Sequence, residues 1–453
     1  MLNDNDLAWM EEFYNSLRDV PLEPARDPRY VALSSRPDLQ MTDPVAELRR
    51  VITWNRRQTR SAQLLSGFRG TGKSTELRRL RSELRAMGMV VVLADIEEYL
   101  NTSVPIDVPD FLMFLAGAFG EALIADGALT AGDIGEGFWG RIAAFIQRIE
   151  AREATISGKV EPAVHGTKLG EVGGELKLGL KEDTTFRARL QKRMAGHIGA
   201  LHAEVEKYLT EVVAKVRAKH KPDTQVVFLV DSIEHIRGTF TTANEVQSSI
   251  ESLFFGQYDK LRLSGLHVVY TVPPWLKVRH AQVGSLYDGC QMLTAIKVTE
   301  KADGTPFAPG IQAFEAVMNA RGDWNRLLGD HARFVTLVEK SGGHLRDVLR
   351  LFIDVVVGAD ALPVTGPNFK RALSKLKNEM LPIADEHAVW MAHIRRTQRA
   401  SLELASQLPD LARFLDTHQV LAYRNGDEWY DIHPLIADEV EAQALDVIKR
   451  SGS

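Results

Sequence analysis

Glycines, a lysine and a hydroxyl at fixed spacing carry the clearest chemistry of this chain. Gly67-Phe68-Arg69-Gly70-Thr71-Gly72-Lys73-Ser74 fits the pattern GxxxxGK[ST] without a mismatch, and in that pattern glycines let successive backbone N–H groups curl around phosphates. Lys73 supplies a point charge for the β- and γ-oxygens, and the Ser74 hydroxyl completes a magnesium shell. The ligands expected from these residues, with Thr75 just behind them, are ATP and Mg2+.

A phosphate loop also needs a metal-binding acid on a neighbouring strand. Val226-Val227-Phe228-Leu229-Val230-Asp231 is an apolar run that ends in one, so Asp231 is the expected magnesium partner of Ser74. The alternative is an acidic strand end that caps the next helix. Ser232 follows where fast ATPases usually place a water-polarising glutamate, and Glu234 is the next acid. Glu234 reads either as the residue that reaches the attacking water or as a surface glutamate, and slow hydrolysis is the expected consequence. Thr271 ends the run Leu266-His267-Val268-Val269-Tyr270-Thr271 and is either a γ-phosphate sensor or a turn former. His235 and His344 have no histidine or acid partners at ligand spacing and read as structural.

These residues need elements to hold them. Ala62–Ser66 reads as a buried strand entering the loop, and Thr75–Leu84 as a helix leaving it with Leu77, Leu80 and Leu84 on one face. The helix N-terminus then points its free N–H groups at the phosphates. Further strands are expected at Met89–Asp95, Val226–Asp231, Leu266–Thr271 and Thr294–Val298. Strand and helix alternation argues for a three-layer α/β core with a parallel sheet. Residues 1–44 form an arm, 45–300 the core, 301–380 a helical lid and 381–453 a separate unit.

About 130 residues separate the second and third strands, far more than a crossover needs. This insertion, at about 105–220, contains expected helices at Asp110–Ile124 and Phe138–Ala151 and a long one from Thr185 to Lys219. Between them the alternation in Glu175-Leu176-Lys177-Leu178-Gly179-Leu180 reads as a hairpin or mobile loop. Helices are expected in the lid at Pro309–Asn319, Trp324–Ser341 and His344–Gly358. The last unit reads as helices Glu386–Ser406 and Pro409–Thr417, then two strands around Asn425-Gly426. That arrangement has the look of a winged helix.

The 453 residues, 45% of them hydrophobic and 25% charged, are ordinary globular composition. A single cysteine, Cys290, excludes an internal disulfide and a cysteine-rich metal site, and a reducing cytoplasmic setting follows. The acidic Met1–Asp6 does not resemble a secretory signal, and Phe111–Gly120 falls short of a membrane span because Glu121 interrupts it. Net charge is -5, so there is no general case for nucleic acid. Between Arg49 and Arg85, however, eleven basic residues face only Glu76 and Glu83.

With its loop at Gly67–Ser74, its strand ending in Asp231 and its Gly342-Gly343-His344-Leu345-Arg346 element, the chain resembles the AAA+ and STAND ATPases, in an initiator-like form with a C-terminal winged helix. The resemblance implies a sheet order 5-1-4-3-2, adenine near Tyr30 and Val31, and a lid arginine at Arg346 that reports the γ-phosphate. A surface salt bridge is the other reading of Arg346. Arg279 and Arg321 become candidates for contact with a neighbouring subunit. Ser232 departs from the usual glutamate, a departure shared with proteins that use ATP as a switch.

Two functions follow. One is a slow signalling or defence-type switch ATPase that assembles with itself or recruits a protein. The other is an initiator or loader on DNA. From Leu381 onward seven basic residues oppose twelve acidic ones, and duplex binding depends on neutralising phosphates. An acidic winged helix therefore meets protein more plausibly than DNA. No membrane is implied.

Overall fold

The computed structural model describes residues 2–58, 60–135, 137–157, 169–238, 242–402 and 407–451. The chain divides into two compact units. One comprises Met1–Pro44, Gly67–Arg79 and Met292–Ser453, the other Val45–Ser66 and Leu80–Gln291.

Five parallel strands form the central sheet: β1 (Ser61–Gly67), β2 (Val90–Asp95), β3 (Val226–Asp231), β4 (His267–Val272) and β5 (Cys290–Leu293). Their order is β2-β3-β4-β1-β5, the expected 5-1-4-3-2 read from the other edge. β1, β3 and β4 are buried along their whole length, which is why they read as continuous apolar runs. Register sets Ser66 beside Val272 and Asp95 beside Asp231. The fifth strand is displaced from the expected Thr294–Val298. That segment is buried, but its backbone bonds elsewhere: Ala295 N donates to the Ala422 carbonyl and Ile296 N to that of Gly343. Alternating apolar residues announced burial and not the partner that satisfies the backbone.

In the second unit the insertion is helical among the described residues. Helices cover Val108–Ala125, Ala131–Ile134, Gly137–Ser157, Leu169–Glu182, Thr184–Met194 and Ile198–Lys219. The stretch Glu175–Leu180 is therefore helix and not hairpin. Leu176 and Leu180 are buried while Leu178 is 56% exposed, so the i, i+4 pair decided the outcome over the i, i+2 alternation. Residues 158–168, the glycine- and lysine-containing stretch before this helix, lie outside the described set. The expected long helix is broken at residues 195–197. The helix Val108–Ala125 is longer than its sequence led us to expect and passes for a membrane span by length and composition, yet 78% of it is buried inside the molecule. Phe111 packs there against Phe114, Phe254 and Tyr270 with ring centroids 5.6, 5.8 and 6.1 Å apart.

The first unit holds the arm, the loop and everything after β5. Asn3 and Asp6 form a capping box that starts the helix Asp4–Ser16. Lid helices run Ala308–Asn319, Trp324–Leu328, His331–Lys340, Leu345–Val357 and Gly366–Glu379. After them come helices Asp385–Thr397 and Leu408–Asp416, the antiparallel pair β6 (Val420–Asn425) and β7 (Asp427–Ile432), and a helix Ala437–Ser451 that was not expected. The first of these was expected to run to Ser406 but stops at Thr397, where Gln398 takes a left-handed φ of 55°; residues 403–406 lie outside the described set. Only Gly426 adopts a left-handed backbone at the turn. Asn425 instead spends its side-chain amide on the Leu39 carbonyl at 2.7 Å.

Candidate functional site

The loop is built as its composition demands. Gly70 and Gly72 have φ of 86° and 92°, a region that costs a side chain dearly. A Cβ on Gly70 would also lie 2.5 Å from the Arg346 Cβ. The helix Lys73–Ala86 starts within the motif and buries Leu77, Leu80 and Leu84, so its N-terminal N–H groups open onto the loop. The Lys73 ammonium donates to the Gly67 and Phe68 carbonyls at 2.8 and 2.7 Å. Thr71 Oγ1 closes the turn on the Phe68 carbonyl at 2.8 Å. Phe68 itself is fully buried, so only its backbone is available to a nucleotide.

A glycine-rich turn after a buried parallel strand, followed at once by a lysine on the first turn of a helix, decides the matter. The fold is that of a P-loop nucleotide-binding protein. No protein-family model matches the chain, and no curated protein matches it. Among solved structures it is similar to a Walker-type ATPase of Pyrococcus abyssi, at 13% identity over 87% of this chain and 95% of that one, with a TM-score of 0.40. It is also similar to Cdc6p of Pyrobaculum aerophilum, at 13% identity over 90% and 93% with a TM-score of 0.32. A third is the ORC2 protein of Aeropyrum pernix in its ADP form, at 11% identity over 94% and 99% with a TM-score of 0.41. These likenesses carry no residue roles to this chain.

Several expected ligands of the loop have other bonds. Thr75 Oγ1 accepts from Leu22 N at 3.0 Å. Tyr30 donates its hydroxyl to Glu76 at 3.1 Å, Ser34 donates to the other Glu76 oxygen at 3.1 Å, and Arg79 pairs with both Glu76 and Asp43. Burial pushes the Glu76 carboxyl up, and Arg79 opposes it. This network ties the arm, through Tyr30, Ser34 and Asp43, to the first turns of the loop helix; Val31 is not part of it, its carbonyl accepting from Leu33 N at 2.9 Å. Arg346 lies against the loop: its backbone N donates to the Gly70 carbonyl at 3.2 Å, while its guanidinium pairs with Asp19 of the arm. Arg321 is turned inward, donating to the carbonyls of Arg29 and Val317 at 3.1 and 2.9 Å. Burial, with Arg29 nearby, lowers it to about 10.

His344 is not the isolated residue its sequence led us to expect. Its Nδ1 lies 2.8 Å from Asp347 Oδ2 and its Nε2 2.9 Å from the Arg69 carbonyl. His418 Nδ1 and His433 Nε2 stand 3.6 and 3.5 Å from the same carboxylate oxygen. Burial opposes ionisation of Asp347, yet these imidazoles hold its carboxyl well below the usual range. The His344-x-x-Asp347 spacing was a signal for part of this cluster, whereas His418 and His433 arrive from far along the chain.

In the second unit Asp231 ends β3, and its Oδ1 accepts from Ser232 N at 2.8 Å. Ser232 takes a left-handed φ of 68°, an uncommon cost for a non-glycine residue. Ile233 N donates to Thr271 Oγ1 at 3.2 Å, so Thr271 fixes the turn after β3. Glu234 follows in a single 3-10 turn and is buried. Asp95, adjacent to Asp231 in register, is an acid at a strand end that sequence reading passed over. Arg279 pairs with Glu251 at 2.8 Å, and His235 with Glu97 at 3.0 Å.

Proposed function

We propose that the protein is an ATP-binding switch with slow turnover, in which Ser74 and Asp231 hold Mg2+, Glu234 serves the attacking water and Arg346 reads the γ-phosphate. The observation that carries this reading is the double attachment of Arg346, to the Gly70 carbonyl through its backbone and to Asp19 through its guanidinium. A γ-phosphate at the loop competes with Asp19 for that guanidinium and so releases Asp19 from it, whereas ADP does not. Charge-assisted pairs of this kind are strong enough to bias such an exchange. Assembly with further copies or recruitment of a protein, through the helices and hairpin of a winged-helix unit at 381–453, is the output this reading assigns.

The test compares ATP and ADP affinities by calorimetry, with particle mass measured in each nucleotide. Lys73→Ala should lose both ligands. Asp19→Ala should tighten ATP more than ADP, and Arg346→Ala should erase the difference between them. Equal effects of Asp19→Ala on both nucleotides would sink the switch.

One observation favours a second reading, an initiator or loader on nucleic acid. Trp54 is 75% exposed with the Arg50 guanidinium 6.0 Å from its ring, and Arg56, Arg57 and Arg60 are exposed beside it in sequence. Base stacking on an aromatic side chain and phosphate neutralisation by arginines are the two contributions such binding needs. Salt-sensitive binding of a labelled duplex or single strand, weakened by Trp54→Ala, would establish it.

A further inference from the structure

The cluster beside the loop's backbone has the composition of a metal site. Ligand atoms of His344, Asp347 and His418 all lie within 4.8 Å of one another. For a tetrahedral zinc ion with bonds near 2.0–2.1 Å, neighbouring ligand atoms sit about 3.4 Å apart, so small shifts of the side chains suffice: His344 Nδ1 and Asp347 Oδ2 open from 2.8 Å, and any wider pair closes. His344 and His433 are fully buried, Asp347 is 1% exposed and the His418 side chain 12%. Among the described residues, His418 Nε2 has no hydrogen-bond partner.

The surroundings match as well. His344 Nε2 faces the Arg69 carbonyl at 2.9 Å, and a carbonyl only accepts, so this nitrogen carries hydrogen and Nδ1 is the one turned to Asp347. Metal-bound histidines usually donate their second N–H to a backbone carbonyl or a carboxylate in this manner. His433 Nδ1 accepts from Leu435 N at 3.3 Å, which leaves Nε2–H to orient the Asp347 carboxylate. Among the described residues the cluster contains no lysine or arginine to oppose the buried Asp347 carboxylate.

We propose that His344 Nδ1, Asp347 Oδ2 and a nitrogen of His418 bind one late first-row divalent cation of the zinc type, with one position left to water and His433 as a positioning residue. The ion replaces the hydrogen between His344 and Asp347. It is distinct from the Mg2+ of the nucleotide, because nitrogen-rich donor sets select zinc, cobalt or nickel while magnesium prefers oxygen. Bound there, it pins the start of the helix Leu345–Val357 and His418, two residues before β6, to the Arg69 carbonyl of the loop.

The experiment titrates metal-stripped full-length protein with CoCl2, free of nucleotide and magnesium. One Co2+ per chain with the visible bands of a four-coordinate N/O site is expected, and Zn2+ should displace it. X-ray absorption of the same sample should count two imidazoles. Lys73→Ala should keep the spectrum, which separates this site from the phosphate loop. His418→Asn should lose it, with asparagine chosen because residue 418 has a φ of 60° that Asn tolerates. Wild-type protein that takes up no stoichiometric Co2+, a shell of oxygens alone, or a folded His418→Asn protein with the wild-type spectrum each overturns the site. The first two outcomes decide even if the variant fails to fold.

Discussion

Each compact unit buries one carboxylate almost completely, and the two are held by opposite means. In the second unit Asp110 is 0% exposed and meets Arg187 Nε at 2.5 Å and Gln191 Nε2 at 2.6 Å. In the first, Asp347 is 1% exposed and, among the described residues, meets the imidazoles of His344, His418 and His433. Guanidinium is always charged and offers no lone pair, so the Asp110 clamp has a single state. Imidazole can carry a proton, lose it or bind a metal. Burial raises the Asp110 carboxyl with Arg187 opposing, whereas Asp347 is held low. The insertion helices are thus fastened permanently, and the element beside the phosphate loop conditionally.

The largest test of this contrast removes the permanent charge. Arg187→Leu leaves Asp110 buried without a fixed partner and should cost about 3–5 kcal/mol in denaturant unfolding. Pairing it with Asp110→Leu should recover much of that loss. Asp347→Asn should cost less, about 1.5–3 kcal/mol, because neutral imidazoles remain as hydrogen-bond partners. A larger loss than that of Arg187→Leu would reverse the comparison. The smallest effect is one of slope. Asp107 caps the helix Val108–Ala125 by accepting from Asp110 N at 3.0 Å, and burial together with Asp110 raises it to about 7. Between about pH 4 and 7 the unfolded chain has released this proton and the folded chain keeps it, so stability falls as pH rises through that window. Asp107→Asn keeps the cap, and its melting temperature should vary less between pH 5 and 7.5 than that of wild type.

How far the sequence could be read depended on whether partners were local. β3 was legible because Val226–Val230 is apolar without interruption and Asp231 ends it. The loop was legible because its chemistry lies within eight consecutive residues. β5 was misplaced because Ala295 and Ile296 find their backbone acceptors at Ala422 and Gly343, which no local pattern records. The helix Leu169–Glu182 was missed because a leucine at every second position serves either period. The histidine cluster needed a hairpin to bring residues 418 and 433 to 344 and 347.

The hairpin β6–β7 has a consequence for how the chain can be cut or borrowed. Tyr423 donates its hydroxyl to the Gly342 carbonyl at 2.7 Å and stacks on Trp429 with ring centroids 4.2 Å apart, while Leu421, Tyr423 and Trp429 share one cluster with Ala295. A chain stopped near residue 380 would bare Ala295 and the Gly342 carbonyl and strip Asp347 of two of its imidazoles. The last seventy residues are therefore no detachable cargo: transplanting them onto another ATPase, or trimming them to obtain a minimal one, would dismantle the element that carries Arg346.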